Sequence, residues 1–134
     1  MTNAEIAEAR REAEEALLGA ILIESAFKGV SESVRAASKL VRPEHFLGYY
    51  DKQPMSRQPK RVRIYQAMLD CESPPHQITV AHQLFNTETL IAGDCAYLCH
   101  LVAVCPCSLD FESYALAIVG YAVGKAKPRY TGAI

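Results

Sequence analysis

The feature that most constrains this chain is residues 12–23, with the sequence EAEEALLGAILI. Its apolar positions recur at helical spacing and form a stripe that widens along the stretch. They are Ala13, Leu17, Ala20 and Ile21, flanked by Leu18 and Leu22. Because the acidic residues precede the apolar ones, we expect this helix to run from the surface into the core. Gly19 costs about 1 kcal/mol of helix propensity relative to alanine, so a second helix is expected to pack closely there.

Composition indicates one folded domain. The chain has 134 residues, of which 50% are hydrophobic and 22% charged, enough for a sizeable core. Its net charge of −1 predicts no general attraction to nucleic acid or membranes. No apolar run approaches the roughly 20 residues of a membrane span, and the acidic N-terminus is unlike a secretory signal. Five cysteines, an odd number, favour a reduced, cytoplasmic setting over a disulfide framework.

Helix start and stop signals follow one another along the first half of the chain. Thr2 and Glu5 have the spacing of a capping box, which predicts a helix that begins near residue 3. Ser31 is predicted to cap a short helix, which ends before Pro43 because the residue preceding a proline avoids the helical region. A short turn then inserts Phe46 into the core.

The second half continues the same pattern. Residues 48–58 lack periodicity and form a predicted loop, and Pro59 starts the next helix. Thr79 is predicted to cap a helix that carries Val80, Leu84 and Phe85, and another helix follows Gly93. No stretch alternates like a strand, which predicts an all-α fold. The residues expected to be buried together are Leu17, Ile21, Phe46, Ile64, Met68, Leu84, Leu98 and Leu101.

The last helix, predicted from residue 108 to about residue 126, is apolar on two faces. One stripe contains Phe111, Tyr114, Ala115, Ile118, Tyr121 and Ala122, and the other contains Leu109, Leu116, Val119 and Val123. A helix with two apolar faces needs two partners. The alternatives are a neighbouring chain, a further segment of the protein, or complete burial of the helix, and the pattern does not decide which stripe faces the preceding helices. The predicted self-association residues are Phe111, Tyr114, Leu116, Ile118, Val119, Tyr121 and Val123.

A nucleotide site is not predicted. Residues 120–126 (GYAVGKA) resemble a phosphate-binding loop, but that loop has four residues between its glycines and a Ser or Thr after its lysine. Three residues separate Gly120 from Gly124, and Ala126 follows Lys125. The segment also has a helical pattern, in which the backbone amides would be occupied.

Metal binding and catalysis are not predicted either. Cys95, Cys99, His100, Cys105 and Cys107 form a cluster with some metal-ligand character, but the tight Cys-x2-Cys pairing of structural zinc sites is missing. The Cys-x-Cys spacing is also not that of the usual redox pair. No nucleophile has an evident base, and most carboxylates fall on predicted exposed faces. We therefore expect no catalytic, cofactor or metal residue.

A basic segment follows two tyrosines, Tyr49 and Tyr50. Its cations are Lys52, Arg57, Lys60, Arg61 and Arg63. Cations beside aromatic side chains can bind single-stranded nucleic acid, although a solvated charged loop is the commoner outcome. These five residues are the candidate contacts to nucleic acid or to a partner.

Several segments, in order, resemble the N-terminal domain of bacterial DnaB-type replicative helicases. They are residues 12–22 (EAEEALLGAIL), 40–46 (LVRPEHF), 64–68 (IYQAM), 78–80 with Leu84, Gly93 with Tyr97, Leu98 and Leu101, and Pro106 with Tyr114, Ala115, Ile118 and Val119. The likeness covers about residues 11 to 126. Each motif is mostly a core pattern, and their order and spacing make the match specific.

The resemblance implies a small multi-helix globular head, residues 1–107, and a hairpin-type helix with a short tail, residues 108–134. The last helix corresponds to the first arm of a helical hairpin. Domains of this family pair through their hairpins, form a collar on the helicase ring and dock a DnaG-type primase. Unwinding belongs to a separate ATP-dependent motor domain. The resemblance thus implies a non-catalytic assembly domain that binds itself and a primase or helicase loader, with weak or indirect DNA contact.

Two departures from the family keep an alternative open. The gap between Phe46 and Ile64 is about twice the expected length and holds the basic segment. Pro128 is expected to block a second hairpin arm, which suggests an excised domain or a stand-alone relative. The alternative is a small nucleic-acid-binding or adaptor protein of phage or mobile-element origin that uses residues 52–63.

Overall fold

The computed structural model describes residues 2–124, which contain six α-helices and no β-strand. The helices are α1 (Asn3–Lys28), α2 (Glu32–Ser38), α3 (Lys60–Asp70), α4 (Gln77–Asn86), α5 (Asp94–Val104) and α6 (Phe111–Ala122). Short 3₁₀ turns occupy Pro43–His45, Met55–Arg57 and Ser108–Asp110. The all-α prediction is confirmed. The predicted tail, including Pro128, lies outside the described residues.

Helix α1 begins and ends where its local chemistry requires. The Glu5 N–H donates to Thr2 Oγ1 at 3.1 Å, and the Thr2 N–H donates to Glu5 Oε1 at 2.8 Å. This reciprocal pair confirms the predicted capping box. At the other end, Gly29 adopts a left-handed φ of 63° and donates its N–H to the Ser25 carbonyl, which is the usual role of glycine after a helix.

Helix α1 is the element around which the others pack. It contacts α2, α3, α5 and α6, while α4 is held by α3 and α5. All eight residues predicted to be buried together belong to one core cluster. Phe46 enters this cluster as predicted and stacks on Tyr65 at a ring-centroid distance of 5.0 Å. The Tyr65 hydroxyl, although buried, donates to the Val41 carbonyl at 2.8 Å.

The expected close approach at Gly19 is present, and its partner is α5. A Cβ added to Gly19 would lie 2.3 Å from the Leu101 carbonyl oxygen and 2.9 Å from Cys105 Cβ. No side chain larger than hydrogen fits between the two helices without displacing backbone. The propensity cost of glycine is therefore offset by close helix packing.

Most carboxylates are exposed, as predicted, and two carboxylates of α1 are exceptions. Glu14 and Glu15 are both buried. Glu14 accepts hydrogen bonds from Arg61 Nε and from the Leu47 N–H, each at 2.7 Å. Burial raises the pKa of Glu14 above its ordinary value of 4.5, while Leu47 and Arg61 act in the opposite direction. A buried carboxylate needs such partners, and these lie more than thirty residues away in sequence.

Glu15 has its own set of partners. Its Oε1 accepts from Arg11 Nη1 at 2.6 Å, and its Oε2 accepts from the Tyr97 hydroxyl at 2.6 Å. Lys60 Nζ lies 4.1 Å from the centroid of the Tyr97 ring, which is cation–π geometry. The charged pair of α1 thus connects this helix to α3, to α5 and to the turn that carries Phe46.

Two predicted capping residues, Thr79 and Ser31, make no capping hydrogen bond in the structure. Helix α4 begins at Gln77 with His76 as its N-cap, so Thr79 is not a cap. The Thr79 hydroxyl donates instead to the Pro74 and His76 carbonyls. Ser31 occupies the N-cap of α2 without a side-chain hydrogen bond, and the Glu24 carboxylate, on α1, accepts from the Ser33 N–H at 2.8 Å.

Helix α6 ends at Ala122 instead of near residue 126. The reason is Gly124, whose φ of 71° is left-handed and whose N–H donates to the Tyr121 carbonyl. Glycine in this conformation closes a helix. A 3₁₀ turn over residues 108–110 precedes α6, and Asp110 is the N-cap of the helix.

The core predicts a large cost for removing Leu17. This side chain is completely buried on the central helix, so Leu17→Ala should lower the free energy of unfolding by about 2–5 kcal/mol. Leu40→Ala, at a position that is 38% exposed, serves as the control and should cost less. Urea denaturation measures both. A loss below about 1 kcal/mol for Leu17→Ala would contradict the central position of α1.

The contact between α1 and α5 predicts an unusual result for Gly19→Ala. Helix propensity alone would favour alanine by about 1 kcal/mol, but the overlap with Leu101 should reverse the sign and give a net loss of about 1–3 kcal/mol. Glu12→Ala, at an exposed site of the same helix, should change stability by less than about 0.5 kcal/mol. Stabilisation by Gly19→Ala in thermal or urea denaturation would show that the two helices do not meet there.

Candidate interaction surfaces

The structure shows which stripe of α6 faces the rest of the chain. Ala115 and Ile118 are fully buried against the core. Phe111 and Tyr114, from the same stripe, are half-buried and pack against this cluster. The helix lies against α1 and α2. The first predicted stripe is therefore the inward one.

The second stripe of α6 is largely uncovered. Leu116 is 48% exposed and Val123 is 52% exposed, while Val119 is half-buried beside the core. Leu109, just before the helix, is 77% exposed. Leu109, Leu116 and Val123 are spaced by seven residues: Leu116 lies in α6, Leu109 lies in the 3₁₀ turn before it, and Val123 is its C-cap. Of the predicted self-association residues, Leu116 and Val123 face outward, Ile118 faces inward, and Phe111, Tyr114, Val119 and Tyr121 lie between.

The exposed surface continues onto the end of α1. Phe27 is 85% exposed and lines a small cleft of about 80 Å³ together with Ile23, Lys28 and Leu109. Single exposed apolar side chains are ordinary, but neighbouring ones mark contact surfaces. We call Phe27, Leu109, Leu116 and Val123 the α6 patch.

The five basic candidates separate into two groups. Lys52 and Arg57 are exposed and have no ion-pair partner among the described residues. Lys60 is exposed at its position but holds its ammonium over the Tyr97 ring. Arg61 is mostly buried and pairs with Glu14. Lys60 and Arg61 thus have partners within the domain, and so does Arg63.

Arg63 is buried and organises the chain around it. Its Nη1 lies 2.6 Å from Asp94 Oδ2 and donates to the Thr89 carbonyl at 2.9 Å, and its Nε donates to the Gln58 carbonyl. Asp94 Oδ2 also accepts from the Ile91 N–H at 2.9 Å. The guanidinium is therefore held inside the domain by these contacts, and it is not available to a surface ligand.

A second apolar surface was not identified from the sequence. On α4, Ile78 is 64% exposed and Phe85 is 68% exposed. Leu90 and Ile91, in the connection to α5, are also exposed. Phe85, Leu90 and Glu88 line an open groove of about 600 Å³. The sequence signal was the spacing of seven residues between Ile78 and Phe85. This spacing places both residues on one side of α4, apart from the side that carries Val80 and Leu84.

The other sequence candidates lie apart from these surfaces. All five cysteines are unpaired, and residues 2–124 contain no group of three or more His, Cys, Asp or Glu side chains able to hold a metal. Cys105 is half-buried and its thiol lies 3.5 Å from the Ala16 carbonyl. Gly120 is buried inside α6, whereas Lys125 and Ala126 lie outside the described residues.

Within residues 2–124, no single helix is long and apolar enough to cross a membrane. By length and composition only, α5 and residues 108–122 together could cross a membrane, as a pair bent by 97°.

Comparison with known proteins identifies a matching family and a similar structure. The family model described as DnaB-like helicase N terminal domain matches residues 7–119. The structure is similar to the crystal structure of the N-terminal domain of DnaB helicase from Mycobacterium tuberculosis, with a TM-score of 0.67 and 23% sequence identity. The similarity covers 85% of this chain and 73% of that chain. No curated protein matches the sequence. Since the family model covers most of the sequence, the chain belongs to the DnaB-like helicase N-terminal domain family.

Proposed function

We propose that this chain is a non-catalytic assembly domain of a replicative helicase. It associates with further copies of itself through the α6 patch and offers the helicase a docking site for a primase or a loader. Family membership supports the general role. The observation that carries the proposal is the exposure of Leu116 on α6, of Leu109 in the turn before it and of Val123 at its C-cap, while the opposite side of the helix is buried.

The chemistry of the α6 patch suits a contact between identical chains. Its residues are apolar, so a copy of the same surface provides an equally apolar partner. Two-fold symmetric contacts of this kind are the commonest form of self-association. Glu24 and Lys28 line the cleft beside Phe27, and the exposed Glu112 lies three residues after Leu109 and four residues before Leu116. A symmetric dimer would remove the apolar side chains from water.

The alternative role, binding of nucleic acid through residues 52–63, receives less support. Affinity for nucleic acid depends on cations that can reach phosphates. Arg63 is buried against Asp94, Arg61 is bonded to Glu14, and Lys60 is placed over Tyr97. Lys52 and Arg57 remain available, which is a small set for a binding site. Any DNA contact by this chain is proposed to be weak or indirect.

Self-association can be tested with matched charge substitutions. Leu116→Glu places a carboxylate in the proposed interface without disturbing the core, so the dimer should weaken at least tenfold, or about 1.4 kcal/mol, while circular dichroism stays unchanged. Ile78→Glu is the control, since Ile78 is an exposed aliphatic residue on α4. Ile78→Glu should leave the average molecular mass in solution the same as that of the wild type. Sedimentation equilibrium measures the effect. A wild type that stays monomeric, or equal dissociation by both substitutions, would refute the proposed interface.

Ile118→Glu is a useful third variant. Ile118 is only 2% exposed, and a carboxylate there would be buried without a partner. This variant should lose its helical signal or its cooperative unfolding, unlike Leu116→Glu. A folded, monomeric Ile118→Glu would mean that α6 presents its other side to the partner.

Catalytic inactivity gives a separate prediction. The glycine at position 120 is buried within a helix, so its backbone is not arranged as a phosphate-binding loop. Isothermal titration of the purified chain with ATP and Mg²⁺ should show no saturable heat. Stoichiometric binding that is lost in Lys125→Ala would instead establish a nucleotide site in residues 120–126.

A further inference from the structure

The sequence has a marked charge asymmetry. Between Arg63 and Lys125 it contains no lysine or arginine. The acidic residues of that interval are Asp70, Glu72, Glu88, Asp94, Asp110 and Glu112. Within residues 2–124, Asp94 is the only one of these six that has an ion pair, with Arg63. Helix α4 and its flanking connections therefore contribute carboxylates to the surface and no lysine or arginine.

An apolar ridge runs along this acidic surface. Ile78 and Phe85 lie two helical turns apart on the outer side of α4, which corresponds to roughly 10 Å. Phe85, Glu88 and Leu90 line the open groove at its end. On the other flank, Asp70 and Glu72 line a depression of about 430 Å³, and Asn86 borders both cavities. Carboxylates thus lie in the depression beside the ridge and at its end.

The connection that forms one wall of the groove is held in place. Arg63 binds the Thr89 carbonyl and Asp94, and Asp94 fixes the Ile91 N–H. Glu88 adopts a left-handed φ of 60°, an unfavourable conformation for a residue other than glycine. The neighbouring Thr89 hydroxyl donates to the Leu84 carbonyl at 3.3 Å. A surface whose wall is fixed in advance loses less conformational entropy on binding.

We propose that this ridge of Ile78, Phe85, Leu90 and Ile91 is the docking surface for a basic amphipathic helix of a partner protein. The partner's apolar side chains, spaced by seven residues, pack along Ile78 and Phe85, and its lysines or arginines face Glu72 and Glu88. Helices are recognised in this manner through an apolar face and charged edges. The inference rests on the partner docking proposed above and adds its location and the chemistry of the partner. It uses a different surface from the α6 patch.

The charge complementarity favours this occupant over a second copy of the chain. A copy that presents the same ridge would bring Glu72 and Glu88 close to their equivalents, and neither carboxylate has an ion-pair partner among the described residues. Like charges across an interface weaken it. The chain's own basic tail, with Lys125, Lys127 and Arg129, is a second alternative that the experiment must separate.

Fluorescence anisotropy with a synthetic probe tests the proposal. The probe is a labelled 18-residue helical peptide with leucines on one face and lysines along both edges, compared with a peptide in which each lysine is glutamate. The complete chain should bind the lysine peptide saturably, more weakly at higher salt, and should not bind the glutamate peptide. Phe85→Glu should weaken binding at least tenfold, and Glu88→Lys at least threefold. Leu116→Glu, on the α6 patch, should leave it within twofold.

Three outcomes would overturn the proposal. Absence of saturable binding, or equal loss in Leu116→Glu, would show that the ridge is not a specific site. Dissociation of the wild-type dimer by Phe85→Glu would identify a second copy as the occupant. A tenfold gain in peptide affinity on Lys127→Glu with Arg129→Glu would identify the tail. Because Leu116→Glu separately reports self-association, failure of the ridge and failure of the assembly role are distinguishable.

Discussion

The contact between α1 and α5 at Gly19 is the constraint on which the arrangement of this domain depends. Leu101 brings its carbonyl to the place where any larger residue would have its Cβ. This spacing sets the depth at which α1 is buried and therefore which of its side chains need partners. Leu17, Leu18, Ile21 and Leu22 then contribute to one core. The packing at Gly19 thus sets the position of α1. This helix in turn contacts α2, α3, α5 and α6.

Placing α1 at the centre also buries its acidic residues. Glu14 and Glu15 lie at the point where the helix enters the core. Glu14 accepts two hydrogen bonds from remote parts of the chain, and Glu15 accepts one from Arg11 of the same helix and one from Tyr97 of α5. Removing one partner of such a group is more damaging than never having had the pair. Of the cations considered as ligand contacts, Arg61 pairs with Glu14 and Arg63 pairs with the buried Asp94. As a result, the exposed surfaces that remain distinctive are apolar: the α6 patch and the α4 ridge.

Local patterns predicted most of the helices, and long-range contacts explain what those patterns missed. The capping box at Thr2 depends on neighbouring residues and was visible in the sequence. The burial of Glu14 depends on Arg61 and Leu47, which are remote, so periodicity assigned it to the surface. On α6 both stripes are apolar, and only the packing of Ile118 against the core shows which one faces outward. The docking role of either surface stays a prediction.

The account's central claim is that the outward side of α6 is covered by another copy of this chain. Methyl-resolved NMR with a soluble paramagnetic probe tests it directly, because relaxation of each methyl group reports its contact with solvent. At high protein concentration, the methyl groups of Leu109, Leu116 and Val123 should become shielded, whereas that of Ile78 stays accessible. If all four remain equally accessible at every concentration, α6 is not the surface through which this domain assembles.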